Sequence, residues 1–280
     1  FRCGSDNITS SNVQVANLSA TGQIIGGSNN KASGPSSAIL GGLSNTASGR
    51  FSIIGGGYGN ISSGCYSTIG GGYCNTSSNY YSTVAGGYCN TSSNNYSFVG
   101  GGYCNIASGN CSTVGGGYGN TSSNNGSTIG GGYCNTSSNS FSIIGGGRCN
   151  IASGFNSTVA GGNYNEASSD FSTVGGGRSN TSSSNYATVA GGYCNTASGN
   201  YAAVVGGYCN TSSNNYSFVG GGYCNIASGL CSAIVGGENN EILTSHTNSF
   251  IIGSDLTSNA ACTTFVNNIS SQSNIYAGGN

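Results

Sequence analysis

The chain has 280 residues, of which 53 are Gly and only 4% are charged, and its formal net charge is −1. This balance excludes charge-driven disorder and a basic nucleic-acid-binding face. No apolar run is long enough for a membrane-spanning helix, and Gly does not occupy every third position as in collagen. The chain must therefore owe its order to another pattern.

That pattern is a 15-residue repeat. A Gly-Gly pair recurs fifteen times without insertion, from Gly26-Gly27 to Gly236-Gly237, and an Asn follows each pair at a fixed spacing, from Asn30 to Asn240. A fixed period of this kind is the signature of a solenoid. So short a unit cannot hold a helical hairpin, and triple Gly with Ser, Thr, Val and Tyr disfavours helix. The sequence therefore predicts an all-β, parallel β-solenoid, a β-roll of about fifteen coils.

Each coil is expected to contain two short strands, of the type of residues 51–54 and 59–63. Coils spaced ~4.8 Å apart would make a rod roughly 70 Å long. Alternation of side chains turns three rows inward. They are a row of Ile or Val residues that includes Ile54 and Ile69, a row of small residues that includes Ala47 and Ser62, and the row of constant Asn residues. The Asn side chains, with Asn60, Asn75, Asn90 and Asn105 as examples, are predicted to bond along the axis as a structural ladder.

Two rows of aromatic side chains are predicted to face outward. Strict alternation would turn the second row inward, but its rings are too large for so thin a core, so we expect the glycine turn to expose them. Two interpretations are open: stacking along the axis, and burial between chains of an oligomer. The first row is Phe51, Tyr66, Tyr81, Tyr96, Phe141, Phe171, Tyr186, Tyr201 and Tyr216. The second row supplies the candidate binding residues Tyr73, Tyr88, Tyr103, Tyr118, Tyr193, Tyr208 and Tyr223.

The unit Ser-Thr-Val-Gly-Gly-Gly-x-x-Asn-Thr-Ala-Ser-Gly resembles the head repeats of trimeric autotransporter adhesins and the repeats of phage and giant-virus tail-fibre proteins. Residues 262–269 and 274–280 resemble the exit from such a repeat in tail fibres. The resemblance covers residues 23–280 and implies a left-handed β-roll, a homotrimer, and an extracellular place on a virion or cell surface. The chain departs from the adhesins in its 15-residue rather than 14-residue unit, its many Cys, and the lack of a coiled-coil stalk or membrane anchor in these residues.

Three segments follow from where the repeat holds. Residues 1–22 are predicted to be an N-terminal cap or the end of a preceding segment, 23–242 the fifteen-coil solenoid, and 243–280 an atypical C-terminal coil with an exit segment. Residues 249–253 resemble a first strand displaced by three positions. Residues 86–109 recur unchanged at 206–229, eight coils later, which indicates block duplication.

Thirteen Cys residues favour an oxidising destination, and three pairing schemes stay open. Neighbouring coils could join as pairs 74–89, 134–149 and 194–209, the two turns could join as 104–111 and 224–231, or the thiols could stack unbonded. The candidates are Cys74, Cys89, Cys104, Cys111, Cys134, Cys149, Cys194, Cys209, Cys224 and Cys231. Since no Cys-x-x-Cys occurs and His246 is the only His, we predict neither a metal site nor a cofactor.

The sequence favours a non-enzymatic structural or adhesive fibre. Its six acidic residues are not accompanied by a base or a concave site, so no catalytic residue is predicted. Two alternatives remain: carbohydrate binding on the Tyr rows, with surface glycans as partners, and ice binding on an outward Thr row flanked by a parallel Ser row. Self-association is the expected partnership, and neither nucleic acid nor membrane insertion is expected.

Most of the Asn-x-Ser/Thr glycosylation motifs fall into two groups. The constant Asn persists where its motif is broken, as at Asn105 and Asn150, so its role is structural and the motif there is incidental. The position before the first aromatic row varies freely and is therefore an exposed turn. The better acceptors lie at that turn: Asn95, Asn110, Asn125 and Asn215.

Overall fold

The computed structural model describes residues 9–10, 13–14 and 24–267, and every structural statement below concerns these residues. They form an all-β, parallel β-solenoid whose coils follow the 15-residue period, and no helix occurs among them. The chain divides into two compact units, Phe1–Phe171 and Ser172–Asn280. The fold class predicted from the period is thereby confirmed.

In the first unit, each coil contributes one two-residue strand to each of two parallel sheets. Consecutive strands pair in register with the sequence period, as in Thr76 opposite Thr91, except that Ile24 lies opposite Ala38. Sheet 1 contains Ile24–Ile25, Ala38–Ile39, Ile53–Ile54, Thr68–Ile69, Thr83–Val84, Phe98–Val99, Thr113–Val114, Thr128–Ile129, Ile143–Ile144 and Thr158–Val159. Sheet 2 contains Lys31–Ala32, Thr46–Ala47, Ile61–Ser62, Thr76–Ser77, Thr91–Ser92, Ile106–Ala107, Thr121–Ser122, Thr136–Ser137, Ile151–Ala152 and Glu166–Ala167.

The second unit repeats this arrangement. Its sheet 1 contains Thr173–Val174, Thr188–Val189, Ala203–Val204, Phe218–Val219, Ala233–Ile234, Phe250–Ile252 and Thr264–Val266. Its sheet 2 contains Thr181–Ser182, Thr196–Ala197, Thr211–Ser212, Ile226–Ala227 and Glu241–Ile242. The described helix-free part of the chain accordingly offers no apolar helix that could cross a membrane.

The strands are shorter than the sequence predicts, because the backbone turns sharply beside them. Tyr66 and Cys74 both have positive φ angles, 58° and 52°, and the same two positions of most coils repeat this conformation. A residue in the left-handed region cannot continue a strand. Between the two strands, the Tyr58 position pairs with Tyr73 as an isolated parallel bridge. Each such coil thus contacts the next through two strands and one bridge.

The core is a column of single side chains, as the alternation predicts. Ile129 is fully buried between Val114 and Ile144 of the neighbouring coils, and the opposing Ser122 is buried as well. A row that the sequence analysis did not single out is also buried: Ser127 lies inside, and its Oγ is 2.7 Å from Ser122 Oγ. Serine hydroxyl pairs therefore supply part of the interior that apolar side chains fill in larger cores.

Substitutions of Ile129 test this column. We expect Ile129→Ala to lower the free energy of unfolding by about 2 to 5 kcal/mol, since it leaves a cavity that flanking backbone cannot close. Ile129→Val is the matched control and should cost about 0.5 to 1.5 kcal/mol, because Val already occupies this position at Val114 and Val159. Urea denaturation followed by circular dichroism measures both. Equal effects of the two variants would contradict the column.

The constant Asn is buried and forms the predicted ladder. Asn105 donates its backbone N–H to Asn90 Oδ1 at 2.9 Å and its Nδ2 to the same oxygen at 3.2 Å. The Asn90 Nδ2 also donates to the carbonyls of Gly86 in its own coil and Gly102 in the next, each at 2.9 Å. The ladder therefore bonds side chain to side chain, as expected, and in addition closes the glycine turn of every such coil.

The chain ends deviate from the period. Phe250 lies opposite Ala233, so the last repeat-like strand is displaced by two positions rather than the predicted three. A two-position insertion after sheet 2 accounts for the displacement. In the predicted N-terminal segment, Thr9–Ser10 pairs with Val13–Gln14 in antiparallel fashion. Cys3 and most of the exit segment, from residue 268 onward, lie outside the described residues.

Candidate functional surface of tyrosine and cysteine rows

In the first unit, one row of tyrosines stacks ring on ring along the coils. We call Tyr58, Tyr73, Tyr88, Tyr103, Tyr118 and Tyr133 the Tyr stack. Neighbouring ring centroids are 4.8 to 5.0 Å apart and the ring planes differ by 1° to 14°. This spacing equals the separation of parallel strands, so the solenoid itself sets the stacking. The four predicted binding residues of this unit, Tyr73, Tyr88, Tyr103 and Tyr118, are thus brought together.

The Tyr stack faces outward, although simple alternation would turn it inward. Each ring is roughly two-fifths exposed, as with Tyr88 at 40%. The preceding Gly87 has φ of 91° and lies in a bend of the chain before Tyr88. Since only Gly adopts this conformation without strain, the glycine turn exposes the ring, as the sequence analysis expects.

The second unit carries a shorter stack of the same type. The rings of Tyr193 and Tyr208 lie 5.1 Å apart, and those of Tyr208 and Tyr223 lie 5.0 Å apart. The Arg178 guanidinium covers the outer face of Tyr193 at 5.6 Å. In the first unit, Arg148 covers Tyr133 in the same manner at 5.5 Å. These cation–π contacts cover terminal ring faces that would otherwise meet solvent.

Stacking limits what the tyrosines can bind. A sugar packs against a free aromatic face, but both faces of Tyr88 and Tyr103 are covered by neighbouring rings. The inner tyrosines therefore present only ring edges and hydroxyls. Carbohydrate binding stays a prediction, and a glycan array comparing the native chain with a Tyr88→Ala/Tyr103→Ala variant tests it.

The other aromatic row stacks at the opposite turn. Rings of Tyr66 and Tyr81 lie 4.8 Å apart, as do those of Tyr186 and Tyr201 in the second unit. These residues have positive φ angles near 58° or 52°, a conformation that costs a non-Gly residue roughly 1 to 2 kcal/mol. The stacking contacts of these rings oppose that cost, whereas Gly126 adopts the same conformation without strain.

The cysteine row runs beside the Tyr stack, at the next position along each coil. Cys74, Cys89 and Cys104 follow one another in three successive coils and are half-buried, and the described cysteines are free thiols. Cys104 directly follows the bridge residue Tyr103. Cys111 lies in the opposite turn, at the exposed position that Tyr or Phe occupies in most other coils. Neighbouring coils thus align thiols that are unbonded in the structure, and both sets of disulfide pairs stay predictions.

The neighbouring thiols raise the pKa values of the phenols, whereas burial and other thiols raise the pKa of Cys89. The pKa of Tyr88 lies above its ordinary value of 10.0, first because a phenolate would be repelled by the Cys89 thiolate, then through burial and the neighbouring phenols. Burial raises the pKa of the Cys89 thiol above 9.0, and the nearby Cys104 and Cys74 add to this. The pKa values of Tyr73 and Tyr103 are raised in the same way.

These shifts predict a loss of stability in alkali. The folded chain holds its protons more tightly than the unfolded chain, so stability is fully present below the ordinary thiol and phenol pKa values and falls as pH rises through them. We expect a variant with Cys74, Cys89 and Cys104 replaced by Ser to lose less stability at alkaline pH than the native chain. Ser already occupies this position at Ser44 and Ser179. Urea midpoints at about pH 8 and about pH 10.5 measure the effect. Identical losses in both chains would refute this coupling.

Outward hydroxyl rows occur on both sheets, although the sequence analysis considered only one. On sheet 2, Thr76 lies opposite Thr91, but Ile61 and Ile106 flank this pair. On sheet 1, Thr113 lies opposite Thr128 in the same outward position, a row signalled by the Thr that precedes about half of the buried Val and Ile residues. Both arrays are interrupted. Ice binding stays the weaker alternative, and a thermal hysteresis measurement tests it.

Among the described residues, no cluster of three or more His, Cys, Asp or Glu side chains could hold a metal ion. His246 Nδ1 contacts Ser258 Oγ at 2.7 Å near the C-terminal end. The Asn residues predicted as glycan acceptors lie at turns, where Asn110, Asn125 and Asn215 are exposed and Asn95 is half-buried.

These features define a repetitive parallel β-solenoid protein with stacked side-chain rows. Comparison with protein-family models and with curated proteins gave no match. The fold and its rows, rather than kinship, are consequently the basis for a functional proposal.

Proposed function

We propose that the protein is a structural or adhesive fibre component, a rod displayed on a virion or cell surface. The observation that carries this proposal is the repetition itself. Within each unit, the same buried Asn, the same glycine turn and the same buried Ile/Val recur in nearly every coil. Each added coil lengthens such a solenoid, and each coil presents the same weak surface contact again.

The thin core supports assembly with further copies. A typical coil buries one Ile or Val, two small Ala or Ser side chains and the constant Asn, while isoleucine side chains such as Ile61, Ile106 and Ile151 are about two-fifths exposed on sheet 2. Exposed apolar side chains at regular intervals favour contact between chains. Self-association as a homotrimer is the form that the repeat resemblance implies.

Electron microscopy with analytical ultracentrifugation tests the proposal. We expect elongated particles and a sedimentation mass of three chains. Compact particles would refute the rod, whereas rods that sediment as monomers at micromolar concentration would refute the trimer alone.

A further inference from the structure

Nearly half of the constant Asn positions coincide with N-glycosylation motifs. Seven members of the Asn ladder carry Ser at the third position of the motif: Asn60, Asn75, Asn90, Asn120, Asn135, Asn180 and Asn210. All seven side chains are fully buried. An enzyme that recognises this motif in an unfolded chain would find seven acceptors that the folded chain hides.

A glycan on any of these Asn residues is incompatible with the fold. N-glycosylation replaces one hydrogen of Nδ2 with a bond to the sugar, so the nitrogen keeps a single donor. Every one of the seven Nδ2 atoms donates to two glycine carbonyls, at 2.9 to 3.0 Å. Loss of one donation removes a hydrogen bond from a glycine carbonyl of the turn.

The surrounding backbone also leaves no space for a sugar. Around Asn90, even a single carbon atom added to Gly87 would lie 2.6 Å from Asn90 Nδ2 and 2.8 Å from the Gly102 nitrogen. A hexose ring is far larger than one methyl group. The nitrogen is therefore enclosed by main chain, and side-chain movement cannot make room.

The turn motifs behave differently. Asn110, Asn125 and Asn215 are exposed, and Asn95 is half-buried, so a glycan there would project into solvent. The chain thus carries two classes of the same motif. The turn motifs tolerate a glycan whether it is attached before or after folding, whereas a glycan on a ladder motif is incompatible with the fold.

We infer that this chain folds in a compartment without N-glycosylation enzymes. In the eukaryotic secretory lumen, the glycosylating enzyme acts on the chain as it enters, before the coils can form. Modification of the ladder would then prevent the coils from closing. This inference rests on the Asn ladder alone and holds whether or not the protein is a fibre.

Translation in a cell-free extract with and without endoplasmic reticulum vesicles tests the inference. The full chain, preceded by a cleavable signal peptide, enters the vesicles, and glycan positions are mapped by mass spectrometry after enzymatic release in heavy-oxygen water. We expect the chain made without vesicles to resist protease. The chain inside the vesicles should carry glycans on ladder Asn residues and should lose that resistance. Blocking synthesis of the lipid-linked sugar donor should restore resistance to the lumenal chain.

A matched variant separates the two motif classes. Replacing Ser62, Ser77, Ser92, Ser122, Ser137, Ser182 and Ser212 with Ala removes the seven ladder motifs but keeps every ladder Asn and the turn motifs. Ala already fills this position at Ala107, Ala152 and Ala197, where it is buried. The variant should stay protease-resistant inside the vesicles while still carrying glycans at the turns.

Three results would overturn the inference. The native chain could carry ladder glycans and keep its resistance, it could enter the lumen with its ladder unmodified and fold, or blocking the sugar donor could fail to restore resistance. If the Ser→Ala variant does not fold outside the vesicles, the donor block decides alone.

Discussion

Replacing Gly87 with Ala is expected to lower the free energy of unfolding by roughly 3 to 5 kcal/mol. Gly87 has φ of 91°, and a carbon added to it would clash with the Gly102 carbonyl and lie 2.6 Å from Asn90 Nδ2. The clash is with main chain and with a buried ladder member, so the neighbouring coil would have to move. Urea denaturation of the two proteins gives the difference.

The preceding residue is the matched control. A carbon added to Gly86 would meet only the Gly71 carbonyl, at an ordinary distance of 3.9 Å. Gly86→Ala is therefore expected to change stability by no more than about 0.5 kcal/mol. Equal effects of the two substitutions would contradict the close contact between adjacent glycine turns.

Replacing Asn90 with Ala is expected to cost roughly 3 to 5 kcal/mol, because it removes four hydrogen bonds at once. The carbonyls of Gly86 and Gly102 lose a donor, and the Asn105 N–H and Nδ2 lose their shared acceptor. The bonds from Asn105 are buried, so water cannot replace their lost acceptor, whereas the bonds to the Gly86 and Gly102 carbonyls are only part-buried. Hydrogen exchange of the Asn105 amide should rise together with the loss of stability.

An exposed Asn provides the comparison. Asn110 lies at a turn, and Asn110→Ala should alter stability by at most about 0.5 kcal/mol. A small effect at Asn90, comparable to that at Asn110, would show that the ladder does not hold the coils together.

The rows of the solenoid could be predicted from sequence because the period transmits a single residue's environment to every coil. Once Ile54 is inward, Ile69 and Val84 must be inward too, and the constant Asn follows by alternation. The ladder bonds were predicted for the same reason. The hydroxyl pair of Ser62 and Ser67, at 2.6 Å, was not, since it joins a sheet 2 strand to the turn that follows it.

Strand length and turn shape could not be predicted. Nothing in the residue types of Tyr66 or Cys74 indicates a left-handed backbone, which Gly and Asn usually adopt. Likewise, the pairing of Phe250 with Ala233 depends on how the two-position insertion folds outside the period. For the Tyr stack, outward placement was predicted from ring size, but the mutual coverage of ring faces depends on the spacing between coils.

The central claim, that length is the product of coil number, is tested most directly by an in-register deletion. Residues 86–109 recur at 206–229, so removal of residues 90–209 leaves the local sequence at the junction unchanged. The particle should remain folded and shorten by eight coil spacings, about 38 Å, in electron micrographs. A deletion that does not remove a whole number of coils should fail to fold. An in-register deletion that unfolds the chain, or that leaves particle length unchanged, would contradict the account.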